Sequence, residues 1–237
     1  MRPRLLIFDL DGTLIDSTTD LCNSVNAMLE HLGKPTLPSA VIASYVGDGA
    51  AMLVRRALGD PNDLDSPHHD ERVLQNALNF FIHYYRQHKL DNTLLYPGVL
   101  DALQTIRTAS PNILMAVLTN KPFRPSREIC HELGIGDFFF QNYGGDSFDT
   151  KKPDPQGFQA IVAEASIRLL AHDEPALIPE EVVMIGDSDV DILTGRNGGA
   201  RTIGCLFGIN PEAMQRAEPD TLVAQPSEWP TALGLQS

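Results

Sequence analysis

Basic charge is scarce in this 237-residue sequence: 18 Lys and Arg stand against 31 Asp and Glu, a formal net charge of −13. A nucleic-acid partner needs a basic footprint to neutralise phosphates, so the balance argues against one. Long apolar runs are missing too. No stretch reaches the ~18 uninterrupted apolar residues of a membrane span. The opening "MRPRLLIFDL" is broken by Asp9, and no small-residue cleavage site follows. Neither a membrane partner nor a signal peptide is expected. Cysteine is limited to Cys22, Cys130 and Cys205, an odd number without CxxC spacing. That pattern predicts buried thiols in a reducing compartment, the cytoplasm by default, in place of disulfides or a zinc centre.

What is present suffices for a packed core: 43% of the residues are hydrophobic and 21% charged, outside the range of disordered chains. Short apolar runs recur at "RLLIFDL" (4–10), "ILMAVLT" (113–119), "EVVMIGD" (181–187) and "ARTIGCLFG" (200–208), with weaker ones at "FFFQNYGG" (138–145) and "TLVAQ" (221–225). They do not alternate, as expected of parallel strands covered on both faces by helices. Helical patterns lie between them at 98–109, 125–134 and 154–170. The fold class read from this is α/β, a doubly wound parallel-sheet (Rossmann-like) core.

Residues 17–90 break the rhythm. Leu21, Val25, Met28, Leu29 and Leu32 repeat at helical spacing, as do Leu74, Ala77, Leu78, Phe81, Ile82 and Tyr85. Turns at "GKPTLP" (33–38), "GDPNDLDSPHHD" (59–70) and "LYPG" (95–98) divide the stretch into about four helices. The domain reading is therefore a core of residues 1–16 and 91–237 with a helical insert over 17–90. His68 and His69 sit in a polar turn and read as loop residues. "HDEPALIPEE" (172–181) reads as a polar loop.

Ligands of open parallel sheets bind beyond the carboxyl ends of the strands. Four polar strand ends are candidates: Asp9 with Asp11, Thr119 with Asn120, the "KKPDP" turn at 151–155, and "GDSDVD" at 186–191. Taken singly, each has an ordinary explanation in capping, turns or solvation. Taken together, converging carboxylates repel unless a cation lies between them, and an oxygen-only cluster suits Mg²⁺.

"DLDGTLIDS", "LTNKP", "KKPDP" and "IGDSDVDI", in this order, resemble the four signatures of the haloacid-dehalogenase-like phosphatases. The helical insert resembles that superfamily's small cap domain. "YVGDGAAMLVRRAL" (45–58) and "YGGDSFDTKKPDP" (143–155) resemble the phosphoglycolate phosphatase branch, although the 172–181 loop is longer than usual and "CLFGIN" replaces an aromatic-glycine ending.

The resemblance implies roles for individual residues. Asp9 would attack phosphorus to form an aspartyl-phosphate. Asp11, two residues along an extended strand and so on the same side, would move the proton and offer its backbone carbonyl to the metal. Gly12 and Thr13 would approach the phosphate, Thr119 would donate its hydroxyl to it, and Asn120 would orient Asp9 or contact substrate. Lys152, chosen over Lys151 because it directly precedes the proline, would offset charge on the phosphate and on Asp9. Asp187 would ligate Mg²⁺ together with Asp9 and Asp11. Asp191 and Ser188 would support the metal from behind, and Asp189 reads as a helix cap. In the cap, Gly47, Asp48 and Gly49 would form a specificity loop, with Asp48 reaching the leaving group or a neighbouring backbone group. Arg55 or Arg56 would attract a substrate carboxylate.

The implied function is a Mg²⁺-dependent phosphatase acting on a small phosphorylated substrate, 2-phosphoglycolate first, in a monomer or homodimer. The alternatives are a sugar-phosphate or nucleotide phosphatase, a β-phosphoglucomutase-like phosphotransferase, or a non-catalytic binding or regulatory module on the same fold.

Overall fold

The computed structural model describes residues 2–59 and 71–235. Most of the "GDPNDLDSPHHD" turn, including His68 and His69, lies outside them. The chain divides into two compact units, Met1–Asp16 with Leu95–Ser237, and Ser17–Leu94.

The first unit is a parallel sheet with helices. Its chain starts with β1 (Leu5–Phe8) and β2 (Ile15–Asp16). The second unit follows with α1 (Thr18–His31), α2 (Ser39–Ala43), α3 (Ala50–Ala57) and α4 (Glu71–His88). After β3 (Leu94–Leu95) come α5 (Val99–Ala109), β4 (Leu114–Leu118), α6 (Phe123–Glu132), β5 (Gln141–Tyr143) and α7 (Gln156–Leu170). The chain ends with β6 (Val182–Gly186), α8 (Asp189–Asn197), β7 (Arg201–Cys205), α9 (Pro211–Arg216), β8 (Thr221–Val223) and α10 (Trp229–Ala232).

Six strands form one sheet in the order β5-β4-β1-β6-β7-β8, all parallel. β1 has four buried residues in a row and β6 five, which is why neither shows the polar alternation of a sheet with one wet face. Strand order reverses between β1 and β6. Successive strands step outward from β1 to β4 and β5, and then return to its other side at β6. The carboxyl ends at this switch point carry Asp9 and Asp187, offset by one position, since Phe8 pairs with Ile185 and the Asp9 amide donates to the Ile185 carbonyl at 2.9 Å.

The 172–181 loop lies at the opposite, amino-terminal edge. Arg4, just before β1, donates to Glu181 at 3.1 Å, to Glu174 at 3.0 Å and to the Pro175 carbonyl at 2.9 Å. Its extra length is thus anchored away from the ends of β1 and β6 that carry Asp9 and Asp187.

In the second unit, the predicted stripes form one core. Leu21, Val25, Met28 and Leu29 of α1 pack with Leu53 and Val54 of α3 and with Leu74, Phe81 and Tyr85 of α4. No described helix is long and apolar enough to cross a membrane. Asp20, buried on α1, closes this unit: its carboxylate accepts from the Asn92 amide (3.0 Å), Asn92 Nδ2 (2.8 Å), the Thr93 amide (2.8 Å) and the Thr93 hydroxyl (2.8 Å). Asp20→Ala leaves two backbone N–H groups without their acceptor, so a loss of about 2–4 kcal/mol is expected. Urea unfolding of the variant checks it, and an unchanged midpoint would refute the estimate.

Candidate active site

β1 stops at Phe8, so Asp9 and Asp11 lie beyond the strand and its two-residue alternation does not place them. A tight turn does. Thr13, Leu14 and Ile15 all donate to the Leu10 carbonyl, and the Gly12 amide donates to Ile15. Gly12 has φ +85°, and a Cβ there would fall 2.0 Å from Asp187 Oδ2. Glycine is required by both the conformation and the neighbour. The close approach is to the Asp187 carboxylate, which this turn lets in beside Asp9. The Thr13 hydroxyl is fully buried and has no hydrogen-bond partner among the described residues.

Lys152, 5% exposed, bridges two carboxylates, with Nζ 2.7 Å from Asp9 Oδ1 and 2.6 Å from Asp191 Oδ1. Its turn is tied on both sides: Asn120 Nδ2 donates to the Lys152 carbonyl at 3.1 Å, and Asn197 Nδ2 to that of Pro153 at 3.1 Å. That Asn120 bond goes to the lysine's backbone, so Asn120 helps position the cation that holds Asp9. Lys151 is exposed. Thr119 is buried, and its hydroxyl accepts from the Lys121 amide at 3.2 Å.

Asp187 Oδ2 accepts the Ile209 amide at 2.8 Å, and Asp191 Oδ2 accepts the Ser188 amide (3.1 Å) and hydroxyl (2.6 Å). Asp189 is exposed and accepts from its neighbour's amide at the start of α8. Asp9, Asp187 and Asp191 are all buried, and each has one carboxylate oxygen within 4.8 Å of the others. Burial pushes Asp9 up to about 7, against the pull of Lys152 and with a further push from Asp191. Burial also raises Asp187 well above the usual carboxylate range, reinforced by Asp191 and Asp9. Burial alone would lower Lys152, but Asp191 and Asp9 outweigh it and hold the ammonium charged.

The remaining partner went unread in the sequence. Lys121 Nζ lies 2.9 and 3.0 Å from the two oxygens of Asp11. Each of the paired aspartates therefore has its own buried lysine. Four carboxylates, Asp9, Asp11, Asp187 and Asp191, face two ammonium groups. The deficit equals one divalent cation. All the donors are hard oxygens, so the triad could hold a divalent metal. Gly208 and Gly186 also escaped notice. A Cβ on Gly208 would lie 2.3 Å from Asp187 Cβ, and one on Gly186 would lie 2.2 Å from Asp191 Cγ.

In the helical unit, Asp48 pairs with Arg56 at 2.5 Å, and Arg56 also donates to the Tyr45 carbonyl at 3.0 Å. Arg56 thus braces the loop that holds Gly47 and Gly49, both at positive φ.

Residues 6–205 match the family described as haloacid dehalogenase-like hydrolase. The chain belongs to that family. Among the relatives of this haloacid dehalogenase-like hydrolase is a phosphoglycolate phosphatase of Pseudomonas putida, 36% identical over 93% of this chain and 76% of its own length. Another, of Psychrobacter arcticus, is 38% identical over 89% of this chain and 86% of its own. The crystal structure of a predicted phosphoglycolate phosphatase from Haemophilus somnus superposes with a TM-score of 0.85 at 26% identity, covering 98% of both chains.

Proposed function

We propose that this hydrolase is a Mg²⁺-dependent phosphatase that converts 2-phosphoglycolate to glycolate and phosphate. The observation that carries the reading is the separation of the two aspartates. Asp9 is held by Lys152 within the buried acidic triad, while Asp11, outside it, is held by Lys121. The substrate is supported by the relatives that bear this activity in their names over most of both chains.

Asp9 attacks phosphorus in line; its P–O bond forms as the bond to the glycolate oxygen breaks, and Asp11 gives that oxygen its proton. Asp11 then takes a proton from water, which attacks the aspartyl-phosphate, releases phosphate and restores the Asp9 carboxylate. Mg²⁺, held by Asp9 and Asp187, with the Asp11 carbonyl as a further ligand, would neutralise phosphoryl oxygens. Lys152 compensates the charge on Asp9 and on the transferred group, and Asp191 and Ser188 fix Lys152 and the metal side of the site. The hydroxyls of Thr13 and Thr119 and the Asn120 amide are candidates for phosphate contact.

Phosphate release from a panel of 2-phosphoglycolate, sugar phosphates and nucleotides tests the proposal. Turnover should require Mg²⁺, stop on chelation and return on its addition, with kcat/KM for 2-phosphoglycolate at least ~10-fold above the others. Preference for a sugar phosphate or nucleotide would overturn the substrate, and absence of turnover on any ester would overturn the enzyme.

A further inference from the structure

We propose that Lys121 determines specificity for an anionic leaving group: it reads the carboxylate attached one carbon away from the scissile oxygen. The inference rests on the function proposed above and extends it to a residue that none of the four sequence signatures singled out as a site residue.

The two buried lysines occupy different sides of the reaction. Lys152 binds Asp9 and Asp191, the nucleophile and the metal side, and so lies with the transferring phosphoryl group. Lys121 instead bonds both oxygens of Asp11, the group that must reach the departing oxygen. A cation within hydrogen-bond distance of that acid is necessarily close to the leaving group. In 2-phosphoglycolate the carboxyl carbon is two bonds from the scissile oxygen. A carboxylate so placed can meet the Lys121 ammonium beside Asp11, and an uncharged leaving group has nothing to offer there.

Lys121 is also built to be held in place. Its side chain is only 3% exposed. Its amide donates to the Thr119 hydroxyl at 3.2 Å, and its carbonyl accepts from the Gly145 amide at 2.8 Å. A Cβ on Gly144 would lie 2.7 Å from the Lys121 carbonyl oxygen, and one on Gly145 would lie 2.4 Å from that of Asn120. The two glycines after β5 therefore let the 120–121 turn seat against the edge of the sheet. An ammonium fixed before substrate arrives loses little freedom on binding an anion.

A residue that only oriented Asp11 would affect every phosphate ester alike, and that difference is measurable. kcat/KM is compared for 2-phosphoglycolate and ethyl phosphate, esters of similar size with and without the carboxylate, in wild type, Lys121→Met and Lys121→Arg. The ratio of 2-phosphoglycolate to ethyl phosphate should fall by about 10- to 100-fold in Lys121→Met, mostly through KM, and should be largely kept in Lys121→Arg, which retains the charge. Equal losses on both esters in Lys121→Met, or a ratio no better in Lys121→Arg than in Lys121→Met, would overturn the inference. The wild-type ranking alone judges the proposed substrate. The change in the ratio alone judges Lys121, whichever ester the wild type prefers.

Discussion

Under the proposed mechanism, Asp9→Asn is expected to lower kcat by at least about 10⁴-fold, to the limit of detection, because the amide cannot form the acyl-phosphate bond. The same variant should be the more stable protein in the absence of metal. Burial lifts Asp9 to about 7 in the fold, from 3.8 in the unfolded chain. A group raised in this way contributes its full stability below about pH 4, and that contribution is lost as pH rises through 7, where the fold must accept an ionised buried carboxylate. Asn removes that loss, while Lys152 keeps Asp191 as its partner. The metal-free variant should therefore melt above wild type at pH 8, by roughly 2–4 °C for each kcal/mol recovered, with the gap closing towards pH 4. Saturating Mg²⁺ should raise the melting temperature of wild type more than that of the variant. Residual turnover within 100-fold of wild type would remove Asp9 from the nucleophile's place. A variant less stable than wild type at pH 8 would contradict the origin given for the raised pKa.

How much of this was readable beforehand follows from where the chemistry lies relative to the strands. β1, β4, β6 and β7 announce themselves by continuous apolar runs because both faces of the sheet are covered. β5 and β8 at the two edges are only three residues long and carry weaker signals. Asp9, Lys152 and Asp187 could be picked out because each stands at or shortly after a strand end, where a parallel sheet gathers its ligands. Lys121 could not, since a lysine between an asparagine and a proline reads as a solvated turn residue. Only the turn after β4, seated against Gly144 and Gly145, directs its ammonium to Asp11 across 110 positions of sequence. Gly208 and Ile209 were hidden for a related reason. Their contacts with Asp187 exist only because β7 lies beside β6 and delivers the loop after it to the same edge. Arg56 is engaged by Asp48 and the Tyr45 carbonyl, pairings across the loop before α3 that helical spacing does not announce.

Lys152→Met should be the most damaging single change to the fold within this site. It removes the ammonium bonded to both Asp9 and Asp191 and leaves these beside Asp187, three buried carboxylates of which burial, reinforced by mutual repulsion, already raises two. Breaking a buried pair by deleting one partner costs about 3–5 kcal/mol, because the charge left behind is uncompensated, and for a chain of this length that corresponds to a melting-temperature loss of roughly 6–20 °C. Methionine keeps most of the stem's volume, so a cavity does not explain the loss. Its pH dependence separates electrostatics from packing. Lys152 stays charged across pH 5–8 in the fold, so any pH dependence of the deficit comes from the carboxylates. In the variant the orphaned carboxylates can protonate as pH falls, and the deficit against wild type should be smaller at pH 5 than at pH 8. Mg²⁺ at pH 8 should restore part of the loss by supplying positive charge to the same oxygens, while kcat stays at least ~10³-fold down because charge on the attacked phosphoryl group is no longer offset from the Lys152 side. Differential scanning calorimetry at the two pH values, with and without Mg²⁺, reads all of this. A loss below about 2 °C at pH 8, or a deficit that widens at pH 5, would mean that Lys152 is not the counter-charge on which the buried carboxylates depend.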